Sequence, residues 1–340
     1  MASWAFGIIG DVQYADADDA PDKHGKMMRH YRGALDVLQR AVEFFNCASP
    51  VVTCVYQLGD LIDGLNARQG TSESALTSVL EVISRCRAPF VHLVGNHDLY
   101  NFDRDSLAAR LSTRLPNRAV EFFASAPAPG WRVLVLDAFQ EAVIGWPAEE
   151  PRREQAVRFL RAKRTECGRP DDADPDDWFI GLSAEQRRFN PYNGALGARQ
   201  ISWLSSQLHA AADAGDRVII ASHVVLHSQA CHGTTMAWDY EEALSAIACA
   251  PKGVVAAVIC GHEHKGGYHK DAAGVHHLTV ASPLNEGANG SAFGLVRVFD
   301  DRLEVEAPTL TSLIKEQDLT KALAAGGSAI GNVLTLQLSA

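Results

Sequence analysis

Hydrophobic residues in this chain gather in short continuous runs, each closed by glycine or a small residue and then by a polar side chain. Trp4 to Ile9 is apolar and ends in Gly10-Asp11-Val12-Gln13. Val51 to Leu58 ends in Gly59-Asp60, and Pro89 to Val94 in Gly95-Asn96-His97-Asp98. Runs that are apolar on every residue predict strands buried on both faces. Between them the pattern changes to spacings of three and four. Tyr31, Leu35, Leu38, Val42 and Phe45 predict a helix from Met27 to about Phe45, and a second is predicted over 72–87. Strand, helix, strand, helix, strand implies a largely parallel sheet with right-handed crossovers.

Further along, Trp131 to Leu136 predicts a strand ending at Asp137. Helices are expected at about 151–166, 197–212 and 240–249. The strands Arg217–Ala221 and Val254–Cys260 end in Ser222-His223 and Gly261-His262-Glu263-His264. His227 and His232 fall in the loop beyond His223. Residues 275–281 and 292–299 read as antiparallel strands, with 303–307 as a third. The irregular stretch 138–198 contains Asp171 to Asp177, seven residues with five carboxylates. The spacing of a calcium loop and its closing Glu are absent, so a solvated loop is the reading. No repeat or linker divides the chain.

Five strand exits therefore carry ligand-type side chains: Asp11 with Gln13, Asp60, Asn96 with His97, His223, and His262 with His264. One histidine after one strand is more often a hydrogen-bonded loop residue than a ligand. Five exits at one sheet edge would converge, because open α/β sheets place their sites beyond the carboxyl ends of the strands. Carboxylates, imidazoles and amides without a thiolate suit Mn²⁺, Fe or Zn²⁺ better than a structural zinc site. Seven ligands are too many for one tetrahedral ion and about right for two ions sharing a carboxylate. Two ions about 3.5–4 Å apart are a known device for phosphoryl transfer.

Composition narrows the rest. A net charge of −10 excludes a general nucleic-acid binder, which needs a basic face. An anionic small substrate stays open, because bound cations would reverse the local field. The seven cysteines are odd in number and form no Cys-x-x-Cys pair, so a reducing compartment is expected. A strand begins within a few residues of the N-terminus, which leaves no room for a signal peptide. No apolar run approaches the ~20 residues of a membrane span. The expectation is a cytoplasmic, soluble monomer that binds neither nucleic acid nor membrane.

Asp11-x-Gln13, Gly59-Asp60, Gly95-Asn96-His97-Asp98, His223 and Gly261-His262-Glu263-His264 together resemble the five blocks of the calcineurin-like metallophosphoesterase superfamily. Longer strings, among them Phe6 to Asp16, Arg29-His30-Tyr31-Arg32, Gln57 to Gly64, Ala237 to Tyr240 and Gly261 to Tyr268, are most similar to the manganese-dependent ADP-ribose/CDP-alcohol diphosphatase family. The resemblance spans about 5–308 and weakens in 17–28, 138–190 and 224–235. It implies an α/β fold of four layers (α+β), a β-sandwich of two mixed sheets flanked by helices. Residues 1–310 would form that domain, with 138–198 as an irregular insertion and candidate lid, and 311–340 as a C-terminal tail.

The resemblance also implies roles. One divalent ion would be held by Asp11, Gln13, Asp60 and His264. The other would be held by Asp60, Asn96, His223 and His262, with Asp60 as the bridge. His97 would stand beside the phosphate to stabilise charge or protonate the leaving oxygen, and Asp98 would orient it. Gln13 replaces the usual histidine of the first block, and its neutral, harder amide oxygen tilts the preference toward Mn²⁺ over Zn²⁺ or Fe. Asp63 stands where purple acid phosphatases carry a tyrosine, so that branch is excluded. Arg29, Tyr31 and Asn193 are candidates to grip phosphate or sugar, although Arg29 also fits an exposed helix position.

The activity implied is hydrolysis of the phosphoanhydride in a nucleoside diphosphate derivative, turning ADP-ribose into AMP and ribose 5-phosphate or a CDP-alcohol into CMP and a phosphoalcohol. Two alternatives stand beside it. One is a phosphodiesterase, for cyclic nucleotides or others, on the same core. The other is a non-catalytic scaffold, which would be expected to have lost metal ligands; all seven positions here keep competent side chains.

Overall fold

The computed structural model describes residues 2–22, 25–111, 121–168, 181–231 and 233–339. The predicted acidic loop 171–177 and His232 lie outside the described residues.

Two mixed sheets face each other. The first runs, edge to edge, β14 (Ser328–Ile330), β15 (Val333–Gln337), β13 (Arg302–Glu306), β12 (Gly294–Val298), β1 (Trp4–Ile9), β4 (Val55–Gln57) and β5 (Phe90–His92). The second runs β10 (Gly267–Lys270), β11 (His276–Thr279), β9 (Val255–Cys260), β8 (Arg217–Ser222), β7 (Trp131–Val135) and β6 (Phe123–Ala128). A two-residue pairing of β2 (Ala20–Pro21) with β3 (Met28–Arg29) lies outside both. In the first sheet only β1, β4 and β5 are parallel; β12, β13, β15 and β14 complete it antiparallel. The largely parallel sheet expected from the alternation of strands and helices is thus three strands of the first sheet, while the second is parallel through β11, β9, β8 and β7 and antiparallel at its two edges.

The core explains why the strands are apolar on every residue. Trp4, Phe6 and Ile8 of β1 meet Trp131, Val133 and Val135 of β7 and Ala257 and Ile259 of β9 in a layer between the sheets. The alternate residues Ala5 and Ile9 pack outward with Val37, Leu38 and Ala41 of the helix Gly33–Cys47. Two-sided burial removes the period-two alternation that one solvated face would leave. On the second sheet Val218 and Ile220 likewise pack outward with Leu204 and Leu208 of the helix Gly197–Ala214. Helix, sheet, sheet, helix gives four layers.

Three expectations are corrected. The first helix begins at Gly33, not Met27: residues 28–29 are extended, and Tyr31 packs into a separate cluster with Ala15 and Leu284. Residues 276–279 and 294–298 do not pair with each other. The former lie parallel to β9 in the second sheet, and the chain crosses between sheets before β12. Both segments are buried on nearly every residue, so their patterns carry no sign of which sheet they enter. From 311 onward the chain builds on the body of the fold, with β15 paired to β13 and Leu334 and Leu336 in the layer between the sheets.

Candidate metal centre

The parallel strands β1, β4 and β5 of one sheet and β8 and β9 of the other all end at the same side of the sandwich. Their exits turn sharply. Asp11, Gln13, Asp60 and His262 have φ of 50°, 47°, 61° and 67°, and they are the non-glycine residues with positive φ among those described. A left-handed conformation costs about 1–3 kcal/mol at a residue carrying a Cβ, and such strain persists only where the surroundings enforce it. Here backbone bonds enforce it. Asp11 N–H donates to Gly59 O at 3.0 Å and Gln13 N–H to Asp60 O at 2.9 Å, while His262 N–H donates to Asp11 Oδ2 at 2.8 Å. Two glycines make room. A Cβ at Gly95 would stand 2.0 Å from Asp60 Oδ1, and one at Gly261 would stand 2.6 Å from Asp11 Oδ2.

The result is a buried cluster. One ligand atom each from Asp11, Asp60, His223 and His262 lie within 4.8 Å of one another. Gln13 Nε2 reaches Asp60 Oδ2 and His264 Nε2, both at 2.9 Å, and Asn96 Oδ1 lies 3.2 Å from His223 Nε2. All seven expected ligands therefore meet in one place.

Cations fit this cluster. Asp11 Oδ1 and Gln13 Oε1 are buried with no hydrogen-bond partner, a costly state for oxygens unless something positive faces them. Burial, and then the neighbouring Asp60 carboxylate, push the Asp11 pKa well above its ordinary value. A divalent ion would offset that repulsion. Burial holds His223 and His262 below the ordinary imidazole range and His264 at about 4, which keeps them neutral and able to ligate.

Around this cluster the roles differ from those expected in two places. Asp98 does not orient His97. Its Oδ2 accepts the N–H of Asp60 at 2.8 Å and of Gly95 at 2.9 Å, and its Oδ1 accepts that of Leu61 at 2.9 Å, so it pins the turn that presents Asp60. The carboxylate beside His97 is Asp63, with Oδ2 3.2 Å from His97 Nδ1; Gly64 N–H donates to the same nitrogen at 2.8 Å. Burial lowers the His97 pKa, but Asp60 and Asp63 outweigh it and the net direction is up. Burial alone would raise Asp63, yet contact with His97, the Leu65 N–H and Arg29 leaves it lowered.

The second difference is Asn193. It is fully buried and its Oδ1 lies 2.7 Å from His262 Nε2, so it meets a ligand of the cluster rather than an open pocket. Of the other two residues expected to grip substrate, Tyr31 is buried in its small apolar cluster. Arg29 stands at the rim, 3.7 Å from Asp63 Oδ2 and partly exposed. Two residues not singled out from the sequence also touch ligands. Tyr100 Oη accepts from Asn96 Nδ2 at 3.2 Å, and Asn285 Oδ1 lies 2.8 Å from His264 Nδ1. Only Asp63 left a local trace, three residues after Asp60 in the quoted string.

Comparison with known proteins agrees with this geometry. Residues 5–266 match the calcineurin-like phosphoesterase family. The manganese-dependent ADP-ribose/CDP-alcohol diphosphatase of Bos taurus is 33% identical, over 89% of this chain and 90% of its own. The Arabidopsis thaliana protein of the same name is also 33% identical, over 89% and 93%. The crystal structure of a dimetal phosphatase from Danio rerio superposes with a TM-score of 0.84 at 30% identity, covering 100% of both chains. The chain belongs to the calcineurin-like phosphoesterases, within the family of manganese-dependent ADP-ribose/CDP-alcohol diphosphatases.

Proposed function

We propose that this chain hydrolyses the phosphoanhydride bond of nucleoside diphosphate derivatives such as ADP-ribose and CDP-alcohols with the help of two divalent ions, Mn²⁺ by preference. The observation that carries the reading is the buried Asp11 Oδ1, which has no hydrogen-bond partner although Asp11 is gathered with a second carboxylate, Asp60, and the imidazoles of His223 and His262. Asp11, Gln13, Asp60 and His264 would hold one ion, and Asp60, Asn96, His223 and His262 the other. When bound, such ions supply positive charge for phosphate oxygens and acidify water.

The protein's own part is positional and protic. Asp98 fixes the turn that carries Asp60 through three backbone N–H groups. His97 keeps Nδ1 between Gly64 N–H and Asp63, which leaves Nε2 as the nitrogen to meet the substrate. Water adds to one phosphorus and releases a proton to solvent, the bond from that phosphorus to the bridging oxygen breaks, and His97 delivers a proton to the oxygen that leaves and regains one from solvent. Two phosphomonoesters result. Arg29 is the cation available at the rim for a phosphate oxygen.

Among the described residues no helix is long and apolar enough to cross a membrane. All seven cysteines are free, which supports a reducing, cytoplasmic setting, and we take the enzyme to act as a monomer. Purified protein loaded with Mn²⁺ should convert ADP-ribose to AMP and ribose 5-phosphate, followed by chromatography of the nucleotides. The reading is overturned if no diphosphate in a panel is cleaved, or if cyclic nucleotides give the higher kcat/KM.

A further inference from the structure

We propose that Asn193 is a positioning residue of the metal centre: it fixes the tautomer of His262 so that Nδ1 is the nitrogen that faces the metal. This rests on the reading of the cluster as a metal centre and adds to it a role for the irregular 138–198 segment.

The orientation of the Asn193 amide follows from its partners. Its Nδ2 donates to Arg188 O at 2.9 Å and to Thr234 O at 2.8 Å. Both are carbonyls and can only accept, so the nitrogen must face them and Oδ1 must face His262. An amide oxygen can only accept as well. His262 Nε2, 2.7 Å away, therefore carries the proton. A ring nitrogen that binds a metal carries no proton, so a ligating imidazole has one N–H, and here it is spent on Asn193 Oδ1. The open lone pair is then on Nδ1. His223 shows the opposite arrangement: its Nδ1 lies 2.7 Å from Leu58 O, which places the proton there and leaves Nε2 open beside Asn96 Oδ1. Two histidines proposed for the same ion thus present different nitrogens, each decided by a fixed acceptor on the far side of the ring.

Asn193 is itself held. Its N–H donates to Asn190 Oδ1 at 3.1 Å, and Asn190 Nδ2 reaches the same Thr234 O at 2.9 Å. Trp238 N–H donates to Gly194 O at 2.9 Å, and Asp239 accepts the N–H groups of Leu196 and Gly197 at 3.1 and 2.9 Å. Residues 190–197 are stapled to residues 234–239 and offer one oxygen to the centre. Both Nδ2 hydrogens of Asn193 are spent on carbonyls, Oδ1 faces His262 and the residue is fully buried, which leaves the amide no free donor for a substrate.

The test has two parts. Histidine ¹⁵N spectra of the full chain loaded with diamagnetic Zn²⁺ should show His262 metallated at Nδ1 and protonated at Nε2. Metallation at Nε2 overturns the proposal, and this part needs no variant to fold. In the second part Mn²⁺ is titrated calorimetrically. Wild type should bind two ions, and Asn193→Ala should weaken one of them by about 10–100-fold. Asn193→Asp, which keeps an acceptor for Nε2–H but loses the N–H groups given to Arg188 O and Thr234 O, should fall between wild type and Asn193→Ala, and KM at saturating Mn²⁺ should stay near wild type. Unchanged Mn²⁺ binding with a raised KM would make Asn193 a substrate contact and sink the proposal alone. A wild type that binds no Mn²⁺ would sink the proposed function with it.

Discussion

Among the described residues histidines gather in two places, and one of them is built to hold a cation. At the strand exits His223, His262 and His264 each have one nitrogen against a fixed acceptor, namely Leu58 O, Asn193 Oδ1 and Asn285 Oδ1. Asp11 and Asp60 stand among the remaining nitrogens. On the second sheet His269 and His277 lie directly opposite each other across β10 and β11, and His227 packs on both with ring centroids 4.4 and 4.5 Å away. There the histidines have one carboxylate, Asp271, whose Oδ2 is 3.1 Å from His277 Nε2. His227 Nδ1 is occupied by the Gln229 N–H at 3.1 Å. Among the described residues, only the Asp11, Asp60, His223 and His262 group brings its ligand atoms within 4.8 Å of one another. Density of imidazoles is therefore a poor sign of a metal site. Acceptors that fix the tautomer, and carboxylates that need a cation, are the better one.

The comparison breaks most visibly at Asp60. Its Oδ1 accepts the His97 N–H at 2.7 Å and its Oδ2 accepts Gln13 Nε2 at 2.9 Å, so both sides of the cluster depend on it. Asp60→Ala should lose Mn²⁺ at both positions by elemental analysis. Loss of the ions removes several kcal/mol of transition-state charge stabilisation, and at about 1.4 kcal/mol per tenfold the rate should fall about a thousandfold or more. Two equivalents of Mn²⁺ still bound to Asp60→Ala would end the bridging role.

A smaller effect should separate chemistry from ligation. His97 supports Asp60 through its backbone N–H, which survives any side-chain change. His97→Gln should therefore keep both ions while kcat falls by about 10²–10⁴, the range of one positioned proton donor. Loss of an ion in calorimetry would instead place the imidazole among the ligands.

The two differences at this site show what the sequence could carry. The seven proposed ligands were legible because each follows an apolar strand and a small residue within two or three positions, a local signal that repeats five times. Asp98 was assigned to His97 because it is the next residue. Residues 96–101 are helical, however, and neighbours at i and i+1 on a helix do not face each other. As the third residue of that helix, Asp98 reaches back to the N–H of Gly95 instead, and Asp63, far away in sequence, fills the place beside the imidazole. Asn193 and Asn285 act across 69 and 21 residues, and nothing near them in sequence points at a histidine. The fold divides in the same way. Strands apolar on nearly every residue were legible, whereas the more exposed β6, β10, β14 and β15 were not, and the assignment of 276–279 and 294–298 to different sheets depends on partners that a run of buried residues does not specify.

The smallest expected effect lies in the histidine stack, and its sign is fixed by proton linkage. Burial, and then His277 and His269, lower the His227 pKa to about 4, against about 6.5 for an unfolded histidine. Above pH 6.5 both states are neutral and the stack costs nothing. Between pH 6.5 and 4 the unfolded chain takes up a proton that the native His227 refuses, so native stability falls with pH across that window. His227→Gln removes this proton from the balance. Its Tm should decline less steeply than that of wild type between pH 6.5 and 4, while its Mn²⁺ affinity and its activity near pH 7.5 stay at the wild-type level. Parallel Tm profiles would mean that His227 takes its proton in the native state as readily as in the unfolded one. A His227→Gln protein that lost Mn²⁺ would join the two histidine regions into one functional unit and end the contrast between them.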